Sequence, residues 1–217
     1  MKKTGQVKLK HVFGFIILLL IADQTLKIWV KTHMHLYDEI MVFRPWFRLY
    51  FIENEGMAYG AKFGDGSWAK LALTLFRLVA VVLGTFYLIR ITRERQHRGY
   101  IICVALIYAG ALGNLIDSLF YGLVFTESTR DGALSQLFSG HHYAGFLHGS
   151  VVDMLYFPII NNKVPPDWIP FWGGKPFTFF QPIFNMADAC ISVGVIAIVL
   201  FQHKFFKRHH TVVAKTN

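Results

Sequence analysis

An ionisable side chain inside a long apolar run costs roughly 2.5–3.5 kcal/mol on insertion scales, so each one needs a partner or a task. Asp23, Lys27, Arg77, Asp117 and Asp188 all lie in such runs. Asp23 and Lys27 are four positions apart and share a helix face, where they can neutralise one another. Asn114 precedes Asp117, and Asn185 precedes Asp188, by three positions, which puts an amide and a carboxylate on one face of each helix. A further acid, Asp153, stands in Val151-Val152-Asp153-Met154-Leu155, apolar surroundings in which its ionised form is poorly solvated. Two carboxylates brought within about 3 Å do not both ionise readily, so one keeps a proton while the other stays charged. The charged member can take a proton from a water that attacks an amide carbonyl, and the neutral member can donate to the carbonyl oxygen. Hydrolysis of a peptide bond is therefore within the reach of these residues. Charge placement alone is equally compatible with a small proton- or ion-coupled membrane transporter, or with polar contacts that merely hold helices together.

The elements that must position these groups are membrane spans. The chain has 217 residues, 54% of them hydrophobic and only 16% charged, with a mean hydropathy of +0.41. A hydrocarbon core of about 30 Å takes about 20 helical residues, and the stretches 11–30, 71–89, 100–119 and 183–201 meet that requirement. Lys2, Lys3, Lys8 and Lys10 before the apolar run 12–22 have the pattern of a cleavable secretory signal. No small-x-small cleavage site follows, and the helical pattern continues through Lys27 to Trp29, so the segment reads as a retained span. With Arg90, Arg93, Arg95 and Arg98, and with Lys204, Lys207, Arg208 and Lys215, these lysines are opposed only by Glu94. That side carries +11 and the rest of the chain −2. Positive loops stay cytoplasmic, which predicts both termini inside and the connections 31–70 and 120–182 outside. Asp23, Asp117 and Asp188 then reach one common outer-leaflet depth. The net charge of +9 does not indicate nucleic acid, because no basic helix with recognition-type polar residues accompanies it. Cys103 and Cys190 sit in apolar runs and suggest neither a disulfide nor a metal site. His141, His142 and His148 lack a fixed ligand spacing and read as solvated loop residues. The aromatic and β-branched stretch about 42–52, before Glu55-Gly56 and Gly60, predicts a small extracytoplasmic sheet. The fold class is thus an all-α membrane protein, one domain over 1–217, with four transmembrane helices, a small β element and long outer loops.

Five motifs follow in order: Asp23-Gln24-x-x-Lys27, Glu53-Asn54-x-Gly56-x-Ala58, Gly110-Ala111-x-Gly113-Asn114-x-x-Asp117, Val152-Asp153 and Phe184-Asn185-x-Ala187-Asp188. Together they resemble the lipoprotein signal peptidase (signal peptidase II) family of bacteria, across all four spans and both outer loops. The resemblance implies an aspartic endopeptidase of the bacterial inner membrane, active at the outer leaflet. Its substrate would be a diacylglyceryl-modified prolipoprotein, cut before the lipidated cysteine, with membrane lipid as surroundings and the cyclic peptide globomycin as inhibitor. It implies Asp153 and Asp188 as the catalytic pair, with Asn54, Asn114, Asp117 and Asn185 lining or supporting the site and Asp23 and Lys27 as the first-helix pair. It implies no metal and no organic cofactor; separately, the chain is expected to work as a monomer. Two departures stand out. Ser118 occupies a position where the family usually has Arg, so that residue's contacts would have to come from Arg77 or Arg130. The segments about 125–150 and 159–181 are inserted on either side of Asp153, as a lid, a partner surface or tolerated loops.

Overall fold

A computed structural model describes residues 7–44, 46–54, 66–158, 160–164, 166–168, 173–175, 177–179 and 181–206. Its elements are α1 (Leu9–His33), β1 (Glu39–Phe43), β2 (Phe47–Asn54), α2 (Gly66–Arg93), α3 (Arg98–Ile116), a π-helical turn (Asp117–Tyr121), α4 (Gly122–Val124), β3 (Val151–Tyr156), β4 (Ile160–Lys163), β5 (Phe177–Phe179), β6 (Ile183–Phe184) and α5 (Met186–Phe205). Among the described residues, Leu9–His33, Trp68–Arg93, Arg98–Val124 and Met186–Phe205 are long and apolar enough to cross a membrane. Ile17, Leu18, Phe76, Leu83, Phe86 and Leu200 are exposed on their outer surfaces, as suits a lipid solvent.

The helical bounds differ from the hydropathy reading at two places. Residues 183 and 184 pair with β3 instead of opening the last span, because Asn185 is extended and caps α5, its side chain accepting the N–H of Asp188 at 2.9 Å. The third span does not stop near residue 119 but widens into the π-helical turn and continues to Val124. Ser118 Oγ donates to the Asn114 carbonyl at 2.9 Å, a back-bond that competes with the regular ladder where the turn begins.

Close helix contact depends on glycine. A Cβ at Gly110 would lie 2.2 Å from the Ala187 carbonyl oxygen, and one at Gly194 would lie 2.7 Å from that of Cys103. Accordingly α3 packs more extensively against α5 than against any other element. The apolar interior falls into two parts. Val12, Ile16, Leu88, Ile91, Ile101, Ala105 and Ala109 join α1, α2 and α3 at the end where the chain begins, with Val7 packed against them. Phe205, at the far end of α5, contacts His97 there. Val30, Met34, Phe51, Tyr121, Phe125, Val152 and Met154 form the other part, between the opposite end of the bundle and the sheet.

That sheet is antiparallel, in the order β1-β2-β3-β6. Ile52 pairs with Asp153, Glu53 with Val152 and Asn54 with Val151. Side chains alternate across a strand, so Phe51, Glu53, Val152 and Met154 point into the second apolar cluster while Asn54 and Asp153 share the opposite face. Gly56 and Ala58, Gly60, Trp172 and the basic tail from Lys207 lie outside the described residues.

Candidate active site

The sequence-predicted polar residues meet at the sheet end of the bundle in one hydrogen-bonded chain. At its deep end Lys27, fully buried, pairs with Asp23 at 3.0 Å and with Asp117 at 2.8 Å, and donates to Asn114 Oδ1 at 2.9 Å. An ammonium has three N–H donors, and all three are used. Asp23 turns its other oxygen to the N–H of Ala187, in the first turn of α5, at 3.0 Å. The pair read from the first span is thus also a clamp on the start of the last one. Space for Asp23 comes from Gly113, where a Cβ would lie 2.8 Å from Asp23 Oδ2.

From Asn114 the chain divides toward two carboxylates. Asn114 Nδ2 donates to Asp188 Oδ1 at 2.7 Å, while Asn114 Oδ1 accepts from Asn185 Nδ2 at 3.1 Å. Asn185 Nδ2 also donates to Asp153 Oδ1 at 2.6 Å, and Asn54 Nδ2 reaches Asp153 Oδ2 at 3.1 Å. Two asparagines, one from α3 and one capping α5, therefore bridge Asp153 on β3 to Asp188 on α5. Asp153 is 1% exposed, whereas Asp188 is half-buried. Burial pushes the Asp153 carboxyl up to about 7; the neighbouring charge of Asp188 adds to the rise, and the amide donors of Asn54 and Asn185, with Lys27, oppose it.

Arg77 projects from α2 toward the same place. Its Nη1 donates to Ser118 Oγ at 2.9 Å, and its charge interacts with those of Asp188, Asp117 and Asp153. Arg130 is exposed on the segment 125–150. His141 and His142 are exposed as well, and no group of three His, Cys, Asp or Glu side chains among the described residues is arranged to hold a metal ion.

Two participants escaped the reading of the sequence. Gln24 Nε2 donates to Asp23 at 3.2 Å, to the Gly113 carbonyl at 3.3 Å and to Asp117 at 2.9 Å, and its Oε1 accepts from the Tyr121 hydroxyl at 3.0 Å. It stood inside the first motif, but an uncharged amide in a span raised no electrostatic question. Lys31 is fully buried, although the hydropathy pattern places it at the start of the outer connection. The available signal was its spacing of four from Lys27, which continues one polar stripe along α1.

Fold and site together define a multi-pass membrane protein with a linked carboxylate–amide cluster where its helix bundle meets a small sheet. Similar folds have been solved: one bacterial membrane enzyme, determined by the in meso method at 2.3 Å resolution, superposes with a TM-score of 0.59 at 20% identity over 95% of this chain and 97% of its own. A second, at 1.9 Å resolution, gives 0.59 at 21% identity over 92% and 96%. The family profile of signal peptidase (SPase) II matches residues 15–204. A lipoprotein signal peptidase of Porphyromonas gingivalis is 48% identical over 193 residues, covering 88% of this chain and 82% of the relative. One of Amoebophilus asiaticus is 33% identical over 191 residues, covering 87% and 75%. The chain belongs to the signal peptidase II family, the lipoprotein signal peptidases.

Proposed function

We propose that this protein is an aspartic endopeptidase that removes the signal peptide from diacylglyceryl-modified prolipoproteins, cutting before the lipidated cysteine, with Asp153 and Asp188 as the catalytic pair. The observation that carries the reading is the asparagine bridge: Asn114 and Asn185 each hold a carboxylate and hold one another, so the two acids are fixed as a unit. Asp153, buried between Asn54 of β2 and Asn185 at the cap of α5, keeps the shared proton. Asp188, in the first turn of α5 and less buried, serves as the base of the pair.

The reaction balances on these two groups and one water. Asp188 takes a proton from the water as its oxygen attacks the scissile carbonyl carbon, and Asp153 gives its proton to the carbonyl oxygen. Collapse of the tetrahedral intermediate returns that proton to Asp153 while Asp188 protonates the departing nitrogen. The products are the signal peptide with a free carboxylate and a lipoprotein with a free amino group on its lipidated cysteine. Neither a metal nor an organic cofactor enters the scheme. Asn54 orients Asp153; Asp23, Lys27 and Asp117 support Asn114 from below; Arg77 reaches over Ser118 to hold a substrate carbonyl beside the pair. The site would lie at the outer leaflet of the bacterial inner membrane, with both termini cytoplasmic, so that the acyl chains of the substrate remain in hydrocarbon during cleavage. The chain would act as a monomer.

The test is a gel-shift cleavage assay with purified protein and a diacylglyceryl-modified prolipoprotein. Wild-type cleavage that globomycin blocks, and that Asp153→Asn or Asp188→Asn each abolishes while Tm is retained, is the expected result. Full activity in either variant rejects the pair.

A further inference from the structure

Lys31 is a buried charge that the cleavage chemistry does not use. It follows Lys27 by one helical turn and is fully buried. Its ammonium pairs with Glu53, donates to Ser128 Oγ at 2.9 Å, and lies over the rings of Phe125 and Tyr143, 5.3 and 4.8 Å from their centroids. Removing such a charge from water costs several kcal/mol before its partners compensate.

Each partner leads toward the site. Glu53 lies on the face of β2 opposite Asn54, so Lys31 grips from behind the strand whose next residue reaches Asp153 Oδ2. The hydroxyl oxygen of Tyr143 accepts the N–H of Ser150 at 2.8 Å, and Ser150 leads directly into β3, whose third residue is Asp153. Phe125, Ser128 and Tyr143 all belong to the segment inserted between α4 and β3. One ammonium thus ties together the end of α1, the strand of Asn54, the lead into the strand of Asp153 and the inserted segment.

We propose that Lys31 is a positioning residue for the active site: through Glu53 and Tyr143 it fixes β2 against β3 and thereby the Asn54–Asp153 hydrogen bond, which makes the segment 125–150 part of the catalytic framework. This rests on the reading of Asp153 and Asp188 as the catalytic pair. The charged groups that bear on Asp153 are Asp188 from α5, Lys27 from α1 and Arg77 from α2. The charge of Lys31 is paired with that of Glu53, on the face of β2 turned away from Asn54 and Asp153. An effect of Lys31 on the titration of the pair therefore passes through the placement of Asn54, whose bond favours the ionised form of Asp153.

The experiment measures kcat, KM and the pH profile of the full-length protein on a diacylglyceryl-modified prolipoprotein, for wild type, Lys31→Met and Lys31→Met/Glu53→Gln. The double variant keeps the buried pair neutral, so it separates geometry from charge. In both, kcat is expected to fall by about tenfold or more with KM within about twofold, since small misplacement of catalytic groups is costly. The alkaline limb of the profile is expected to move to higher pH by about half a unit as the Asn54 bond loosens. Loss of Tm with kcat and the alkaline limb unchanged would overturn the proposal and leave Lys31 a stabilising residue only. A limb that moves in the single variant but returns in the double one overturns it as well, because charge and not placement would then be the cause. Should Lys31→Met fail to accumulate, Tyr143→Phe carries the same test, since it keeps the ring beneath the ammonium and loses only the acceptor for Ser150. An inactive wild type would instead strike at the assignment of the catalytic pair.

Discussion

Asp153 is where burial and the proposed chemistry meet most directly. Folding raises its carboxyl from an ordinary 3.8 to about 7, which means that the fold prefers its protonated form. The resulting cost to stability is absent below about pH 4, grows as pH rises between the two values, and is complete above about pH 7. Asp153→Asn removes that cost, so its stability relative to wild type is expected to improve by a few kcal/mol between about pH 4 and pH 8, read as the difference in Tm across that range. A difference that does not change with pH would mean that the carboxyl ionises freely in the folded protein. The same group sets an expectation for activity: kcat/KM of the wild type falls on its alkaline side through about pH 7, as a property of the coupled pair. Arg77 allows a second test at close range, because Ser118 and Arg77 meet at 2.9 Å. Arg77→Ala is expected to lower kcat/KM by about 10- to 100-fold, the worth of a charge-assisted hydrogen bond to substrate. Arg77→Ala/Ser118→Arg is expected to recover most of it, since a guanidinium carried from the π-helical turn starts beside the same spot. No recovery, or no initial loss, removes Arg77 from substrate binding.

The helices and strands act on the site chiefly through how closely they approach. Gly110 and Gly113 bring α3 against α5 and α1, and the asparagine bridge lies one turn farther along the same contact. Gly110→Ala would drive a methyl into the Ala187 backbone, and since a carbonyl cannot rotate away, the two helices must separate. A loss of about 1–3 kcal/mol together with reduced cleavage is expected. Gly14→Ala, with nothing within 4 Å of the new methyl, is expected to leave cleavage intact and to raise Tm slightly through helix propensity. Equal effects of the two would show that helix approach does not govern the site. These contacts also mark how far the sequence could be read. Four spans, the strand-forming stretch near residues 42–52 and every carboxylate of the cluster were legible, because apolar runs and isolated charges are strong local signals. The Asn185 cap that shortens the fourth helix and the π-helical turn at Asp117 were not, since each depends on a side chain choosing one backbone partner over another. Lys31 was missed for a related reason. At the edge of a span a lysine ordinarily reaches water, and only the inserted segment, brought back by the chain from nearly a hundred residues away, closes over it.

The arrangement of the whole chain gives the cluster its meaning for a lipidated substrate. The start of α1, the turn between α2 and α3 and the end of α5 gather at one end of the bundle, as the contacts of Val7 with the Leu88–Ile101 cluster and of His97 with Phe205 establish. Among the described residues, Lys8, Lys10, Arg90, Arg93, Arg95, Arg98 and Lys204 lie at that end, and the carboxylate cluster lies at the other. If positive charge holds that end inside, Asp153 and Asp188 meet their substrate on the outer side, where the scissile bond of an exported precursor emerges while its acyl chains stay in the bilayer. The opposite orientation would put the acids in the cytoplasm, on the wrong side of translocation. The chain is well suited to a direct measurement, because its two native cysteines, Cys103 and Cys190, are buried within spans. Gln96, in the α2–α3 turn, and His141, in the inserted segment, are both exposed. In intact bacteria with a permeable outer barrier, a membrane-impermeant maleimide is expected to label His141→Cys and to spare Gln96→Cys until the membrane is opened. Labelling of Gln96→Cys alone would invert the protein, and the proposed meeting of lipid-anchored substrate and carboxylate pair would then have no physical basis.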